Sequence, residues 1–516
     1  MFDVDASRGQ RSHSIARIRS GRTPRGRVAA WAIVTLLAVA ASSAGLAMAA
    51  ELPPPGPDAI VRQIDAGHFA EAERAIATAL AQPAIDPSQR DALEFQRERM
   101  RRIRLDFKYD EAAVLAQLRK QIPDLTPEEF AAWDGAGEIE RMTIDGKKVY
   151  FNRSVSNFFR TNAQAAARRA PPVKPNSEGP FESLNPYHAE ALKQARETGK
   201  TSVAPRRLQV TQSLTVDADA VPAGETVRAW IPYPQAITGQ QENIRFISSS
   251  TGTQTIAPES APQRTVYQEK QAVAGQPTQF SITYEVTIYG RKFLLDENKV
   301  VASQSTPELA PYLGERGPHI VFTDDIKRFS ARVVGGEKNP YRIAQKLFDA
   351  VDQIPWGGAR EYSTITNISD YALHAGHADC GQQTLLLMTL LRYNGIPARW
   401  QSGWTYSDES VGYDNMHDWG WMYLAPYGWV PMDVTTGRLQ SDDAGLRDYY
   451  FGGLDAYRIS FNNDFSQPLV PGKQHARSET VDSQRGEAEW PGGNLYFDQW
   501  DYRFEWKMLP LAQDAG

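Results

Sequence analysis

His377-Ala378-Asp379-Cys380-Gly381-Gln382-Gln383-Thr384 opens into the apolar run Leu385 to Leu391 and closes on Asn394-Gly395-Ile396-Pro397. Nearly continuous apolar residues predict a buried central helix and not an amphipathic surface one. The helix is expected to run to about Tyr393. Gly395 suits the left-handed residue just past its end, and Pro397 bars continuation. Cys380, the single cysteine in 516 residues, then stands at the helix mouth. There it faces unpaired backbone N–H groups and the positive end of the macrodipole, which favour a thiolate and could hold an oxyanion.

Outward from this helix, His417-Asp418-Trp419-Gly420-Trp421-Met422-Tyr423 and Gly428-Trp429-Val430-Pro431-Met432-Asp433-Val434-Thr435 alternate as strands. His417, Trp419, Trp421 and Tyr423 share one face, and Ala425-Pro426-Tyr427-Gly428 is a turn between the strands. The antiparallel return brings Asp433 within direct or diagonal reach of His417. A thiol nucleophile, an imidazole base and an orienting carboxylate make a cysteine-protease-type catalytic triad of Cys380, His417 and Asp433. The Cys380 N–H would need a second oxyanion donor, for which Trp356, Trp404 and Gln382 are candidates. His377 is a candidate to line the cleft. The spacing His374-x-x-His377-x-x-Cys380 raises a metal site, but no second Cys or paired His motif supports it. No acidic loop reads as an EF-hand-type calcium site either. No metal and no other cofactor is expected.

Four of these motifs, taken together, resemble the core of transglutaminase-like proteins. They are Ala378-Asp379-Cys380, Gly395-Ile396-Pro397-Ala398-Arg399, His417-Asp418-Trp419 and Gly428-Trp429-Val430-Pro431-Met432-Asp433, in the family's order over about residues 340–440. Ala378 replaces the usual Gly, and Asp418 stands where a small residue is more usual. The resemblance implies a papain-like core opened by a helix over Pro340 to Pro355. Similarity to exported bacterial members implies an amide hydrolase, a peptidase or amidase acting on peptide or protein amides through a thioester. The alternatives are a protein-glutamine transamidase and a non-catalytic binding scaffold.

The remaining sequence surrounds that core. With 41% hydrophobic and 10% aromatic residues, the chain has room for several packed domains. A net charge of −6 offers no global basic field, so no nucleic-acid partner is expected. Arginines from Arg8 to Arg27 precede the apolar stretch Val28 to Leu46, and Ala47-Met48-Ala49 offers a cleavage site. Residues 1–50 therefore read as a signal peptide, with an uncleaved membrane anchor as the alternative. The body is expected in the periplasm or secreted, touching the membrane only through this segment. A lone cysteine in such an oxidising compartment cannot form an internal disulfide, so its presence calls for another explanation.

Residues 51–163 read as a helical region with a β-hairpin. Asp65 to Glu73 looks like one tetratricopeptide-type hairpin, with a weaker echo around Tyr109 to Leu118, but two degenerate copies are too few for a solenoid and favour a small bundle. The β-hairpin is built on Asp145-Gly146, flanked by Met142/Ile144 and Val149/Phe151. Residues 164–205 read as a linker carrying one helix over Pro186 to Thr198. The period then switches to two across 206–296, with Leu208, Val210, Gln212, Leu214 and Val216 on one face, the mark of a β-sandwich preceding the core. The core spans 297–445, and 446–516 is a β-rich extension closing over it. Trp500, Tyr502, Phe504 and Trp506 alternate with charged residues, predicting a buried sheet face, with sugar stacking as the alternative. The fold class is multidomain α+β.

Overall fold

The computed structural model describes residues 57–170, 183–406 and 415–511. The expected signal peptide at 1–50 and part of the expected linker lie outside the described residues. Among the described residues no helix is long and apolar enough to cross a membrane.

Two antiparallel five-stranded sheets share one apolar core. One is built on β1 (Ser202–Val216) and the other on β2 (Thr226–Pro232), and β3 (Thr278–Lys292) pairs along the length of β1. Leu208, Val210, Leu214 and Val216 pack with Val227 and Ile231 and with Phe280, Ile282 and Tyr284. Gln212 occupies the same buried face, where its Nε2 donates to the Tyr284 hydroxyl at 2.8 Å. That bond removes the cost of an unpaired buried amide donor. β1 begins at Ser202, inside the stretch expected as linker. The helix Pro186–Thr198 ends on Gly199 at φ +68°, and this left-handed residue delivers the chain almost directly into the strand.

A transglutaminase-like core needs a buried helix against a sheet, and the structure provides both. Helix α1 (Pro340–Asp352) packs beside α2 (Cys380–Tyr393), whose residues from Gly381 to Arg392 are all buried. α2 opens on a capping box. Gln382 N–H donates to the Asp379 side chain, and Gln382 Oε1 accepts from Asp379 N–H at 3.1 Å. Past its end, Gly395 takes φ +74°. The sheet contains β4 (Ala398–Thr405), β5 (Asn415–Leu424), β6 (Gly428–Met432) and β7 (Arg458–Asn462), ordered β6-β5-β4-β7 and antiparallel throughout. Leu385, Leu386 and Leu390 share a cluster with Leu347 and Phe348 of α1 and with Trp400, Met422 and Val430 of the sheet.

The C-terminal residues contribute to the core sheet and to both five-stranded sheets. β7 completes the core sheet, β8 (Glu487–Trp490) pairs with β2, and β9 (Trp500–Leu509) pairs with β1. Strand edges left by the earlier residues are thereby covered. The aromatic stripe of β9 packs onto the core sheet. Phe504 stacks on Trp404 at 4.6 Å between ring centres, and Trp506 lies 5.1 Å from Tyr406. Tyr502 stays more open, 38% exposed, at the rim of the Cys380 cleft.

Helices dominate residues 57–167, with the hairpin Arg141–Ile144/Lys147–Tyr150 among them. The hairpin's Ile144 packs with Ile60, Ile64 and Phe69 of the first helices. The Gly67 turn makes this approach possible, since a Cβ there would sit 1.9 Å from the Thr143 carbonyl oxygen. The region also braces the loop beside Cys380. Asn157 exchanges two hydrogen bonds with the Gly358 backbone, at 2.8 and 2.9 Å. The Asp106 carboxylate accepts from Glu361 N–H and the Thr364 hydroxyl, both at 3.1 Å.

Candidate active site

Neighbouring residues on a strand point to opposite faces, and here that rule separates the candidate residues. His417 lies opposite Gly403 and Asp418 opposite Ser402 on β4. Asp418 faces α2, on the side where Met422 and Leu424 enter the helix-packed core. His417 faces the other way, on the side where Trp419 and Trp421 join the core of the two five-stranded sheets.

On that far face, His417 Nε2 lies 2.7 Å from Asp433 Oδ2. The pairing of Gly420 with Met432 sets Asp433 diagonally across from His417, as the strand spacing predicts. Asp433 Oδ2 also accepts from Arg458 Nη2 at 2.7 Å, Arg458 Nε at 3.1 Å and the Thr436 hydroxyl at 3.1 Å. Burial alone would push the Asp433 carboxyl up. His417 and Arg458 outweigh it and hold the group well below the usual carboxylate range. An ionised Asp433 accepts from Nε2, which fixes the imidazole's tautomer and tilt.

On the near face, the half-buried Cys380 donates through Sγ to Asp418 Oδ2 at 3.1 Å. Gln484 Nε2 donates to Asp418 Oδ1 at 3.0 Å, and the Asp482 carboxyl shares a hydrogen bond with Asp418. The Tyr362 hydroxyl donates to Asp379 Oδ1 at 2.8 Å and stands 3.5 Å from Asp418 Oδ2. Gly381 admits these groups. A Cβ there would meet the Tyr362 hydroxyl at 2.1 Å and Asp418 Oδ2 at 2.8 Å. Among the described residues no hydrogen bond joins Cys380 to His417.

The electrostatics reverse the expectation of a thiolate. Solvent reaches part of the Cys380 side chain, but the sulfur is hemmed in by protein. That burial, followed by the Asp418 and Asp379 carboxyls, pushes its thiol well above the ordinary value. The helix-end donors do not compensate, because the Gln382 N–H is already taken by Asp379 at 3.0 Å. Burial raises Asp379 to about 6. Burial and the facing Asp482 raise Asp418 well above its usual range, and Asp482 itself is raised by burial.

Cys380 lines a cleft of about 240 Å³. Its walls are Arg153 of the helical region, Trp356 and the loop 358–362, Asp379, the β5 residues Asn415, Met416 and Asp418, the roof residues 478–482 with Gln484 and Arg485, and Tyr502; His417 is not among them. Trp356 is at the wall, with the Arg160 guanidinium 4.5 Å over its ring. Gln382 spends Oε1 on the cap and keeps a buried Nε2 without a hydrogen-bond partner. Two expectations need correction. The Trp404 indole N–H donates to the Gln484 carbonyl at 2.8 Å, so it is engaged in holding the roof segment. His377 does not line this cleft; it lines a separate cavity of about 1000 Å³ between the helical region and the core. There its Nε2 lies 3.4 Å from Glu140, while the ring packs against Gly357. His374 pairs with Asp325 at 3.4 Å, and among the described residues no three potential metal ligands cluster.

Asp418 carried a signal in the sequence, because it departs from the small residue usual at that place. Tyr362, Asp482 and Gln484 belong to no motif and reach the site only through tertiary folding.

Residues 327–434 match the family model described as the transglutaminase-like superfamily. No curated protein matches the chain. Among solved structures, a Cytophaga hutchinsonii protein provisionally named a cysteine protease is similar at 13% identity and a TM-score of 0.40, over 60% of this chain and 93% of that one. A superposition that loose carries no argument about activity.

Proposed function

The chain carries a transglutaminase-like superfamily domain over residues 327–434, and on that premise we propose that it is an exported, cysteine-dependent amide hydrolase with Cys380 as its nucleophile. One observation carries this reading. The chain's lone thiol opens at the start of α2 into a polar, solvent-reached cleft, 3.1 Å from a carboxyl able to take its proton. The thiol loses that proton to a base on β5 as sulfur attacks an amide carbonyl. The amine departs, and water resolves the thioester. The Cys380 N–H faces the developing oxyanion, with Trp356 and Gln382 as candidate second donors. The family pattern assigns the base to His417 and its orientation to Asp433. The tight His417–Asp433 pair supports their working as a unit, but it lies on the face of β5 turned away from the sulfur.

Glutamine-containing peptides test this reading, with ammonia release and amine incorporation followed together. Hydrolysis predicts ammonia release that a primary amine does not divert and that C380A abolishes. Incorporation of the amine into the peptide would establish transamidation instead. A parent protein with no Cys380-dependent turnover on any peptide amide would end the enzymatic reading. It would favour a binding scaffold, which the elevated thiol and the turned-away imidazole also support.

A further inference from the structure

Of the two titratable side chains that neighbour each other on β5, only Asp418 touches the sulfur. We propose that Asp418, working with Asp482, is the group that takes the proton from Cys380, and that His417 with Asp433 forms a buried structural pair behind the strand. This rests on the reading of Cys380 as a nucleophile and assigns the base that reading requires.

Three features of the geometry carry it. The thiol hydrogen is already directed at Asp418 Oδ2 over 3.1 Å. The other oxygen, Oδ1, is held by Gln484 Nε2 at 3.0 Å, so the carboxyl cannot swing away without losing a buried bond. Gln484 also donates to the His417 carbonyl at 2.9 Å, which locks the roof segment to the backbone of this strand. The third feature is the second carboxyl. Asp482 shares a hydrogen bond with Asp418, and two buried carboxyls so close hold one proton between them. The bond raises Asp418 and lowers Asp482, so the shared proton favours Asp418, and its passage to Asp482 leaves Asp418 Oδ2 a free acceptor facing the thiol. The groups facing Asp418 are Cys380 and Asp379 at the start of α2, Tyr362 from the preceding loop and Asp482 from the roof. Arg477 and Arg485 act on Asp482 from the same segment. Burial and the facing Asp482 raise Asp418, which makes it a stronger base than an exposed aspartate, while Asp482 is raised by burial and brought back down by its contact with Asp418.

The step balances without any further reactant. The S–H bond breaks to Asp418 Oδ2 as the C–S bond forms, and the carbonyl π pair moves onto oxygen. When that oxyanion collapses, the C–N bond breaks and the nitrogen takes the same proton from Asp418, leaving as an amine. Water then adds to the thioester and gives its proton to Asp418. Collapse expels sulfur, which recovers that proton, and a carboxylic acid departs.

Because Cys380 is the only cysteine, iodoacetamide alkylation of the full chain reports on one thiol. Alkylation is followed by mass spectrometry from pH 5 to pH 10, beside amide turnover. D418N should move the alkylation midpoint down by about one pH unit, because it removes a like charge from beside the sulfur. The same variant should slow amide turnover by about 100-fold, because it removes the base. A more reactive thiol in a slower enzyme is a combination that a merely structural role would not produce. D482N should shift the acid limb of turnover to lower pH, since Asp418 would no longer share a proton, and it serves as the second variant if D418N does not fold. H417Q should leave the alkylation midpoint where it was. The proposal is overturned if H417Q moves that midpoint and D418N does not, or if D418N turns over amide at the parent rate. A parent that hydrolyses no amide would defeat the functional reading, whereas the alkylation midpoints would still decide which residue holds the thiol's hydrogen bond.

Discussion

On one side of β5 a carboxylate, Asp433, is met by an imidazole and a guanidinium; on the other a carboxyl, Asp418, is met by a thiol and a second carboxyl. Both aspartates are fully enclosed, at 0% and 2% exposure, so burial alone would raise each of them. What differs is the company. His417 and Arg458 bring Asp433 down, while Asp482 and Asp379 keep Asp418 high. Burial pushes both acids the same way, so it does not settle where either one ends. The charges a fold delivers to a buried acid decide whether it serves as a fixed brace or as a proton acceptor.

The severest way to break the comparison is to remove the sulfur. C380A should lower amide turnover by about 1000-fold or more while leaving the far-face assembly folded, as checked by urea unfolding beside the turnover assay. An unfolding midpoint that collapses in C380A would mean that the near face supports the fold and not chemistry. Next in size is R458M, which takes the guanidinium from buried Asp433 and leaves it His417 and the Thr436 hydroxyl. It should cost about 3–5 kcal/mol in urea unfolding. D418N should cost far less or even stabilise, because it relieves repulsion. Equal losses from both would erase the distinction between the faces.

Smaller in effect is G381A. Its methyl group must displace the Tyr362 hydroxyl or Asp418, for about 1–3 kcal/mol of stability, and it should also shift the alkylation midpoint of Cys380. The far-face counterpart, G403A, would meet the Ile459 carbonyl at 1.8 Å. It should reduce stability without touching the sulfur's titration.

The smallest effects are in pH dependence, and their signs are opposite on the two faces. Asp433 is depressed in the folded chain, so its contribution is present above the unfolded carboxyl value, about 4, and is lost as pH falls below it. Glu479, in the roof over Cys380, is raised by burial to about 7. Its contribution is present below the unfolded value and is lost as pH rises towards 7. In melting curves, E479Q should therefore gain on the parent between pH 5 and pH 8. D433N should fall furthest behind at neutral pH and catch up in acid. Parallel curves for parent and variants would contradict both assignments.

Much of the architecture could be read from local pattern. The capping box, the continuous leucines and Gly395 mark α2 because each acts within a few residues of itself. The strand alternation and the turn before Gly428 place Asp433 beside His417 for the same reason. The roof over Cys380 was not legible. Residues 478–485 carry neither a period nor a motif, and they arrive because β8 pairs with β2 more than 250 residues earlier in the chain. Trp404 is a candidate oxyanion donor by sequence alone, and only the arrival of that same segment shows its N–H taken by the Gln484 carbonyl.

Short-range periodicity was enough to place a cysteine at the mouth of a buried helix and to bring an imidazole and a carboxylate together across a hairpin. Tertiary structure alone decided which face of β5 met the helix. A strand offers two faces of equal standing, and only the packing of α2 on one side and of the five-stranded sheets on the other assigns Asp418 to the sulfur and His417 to the interior.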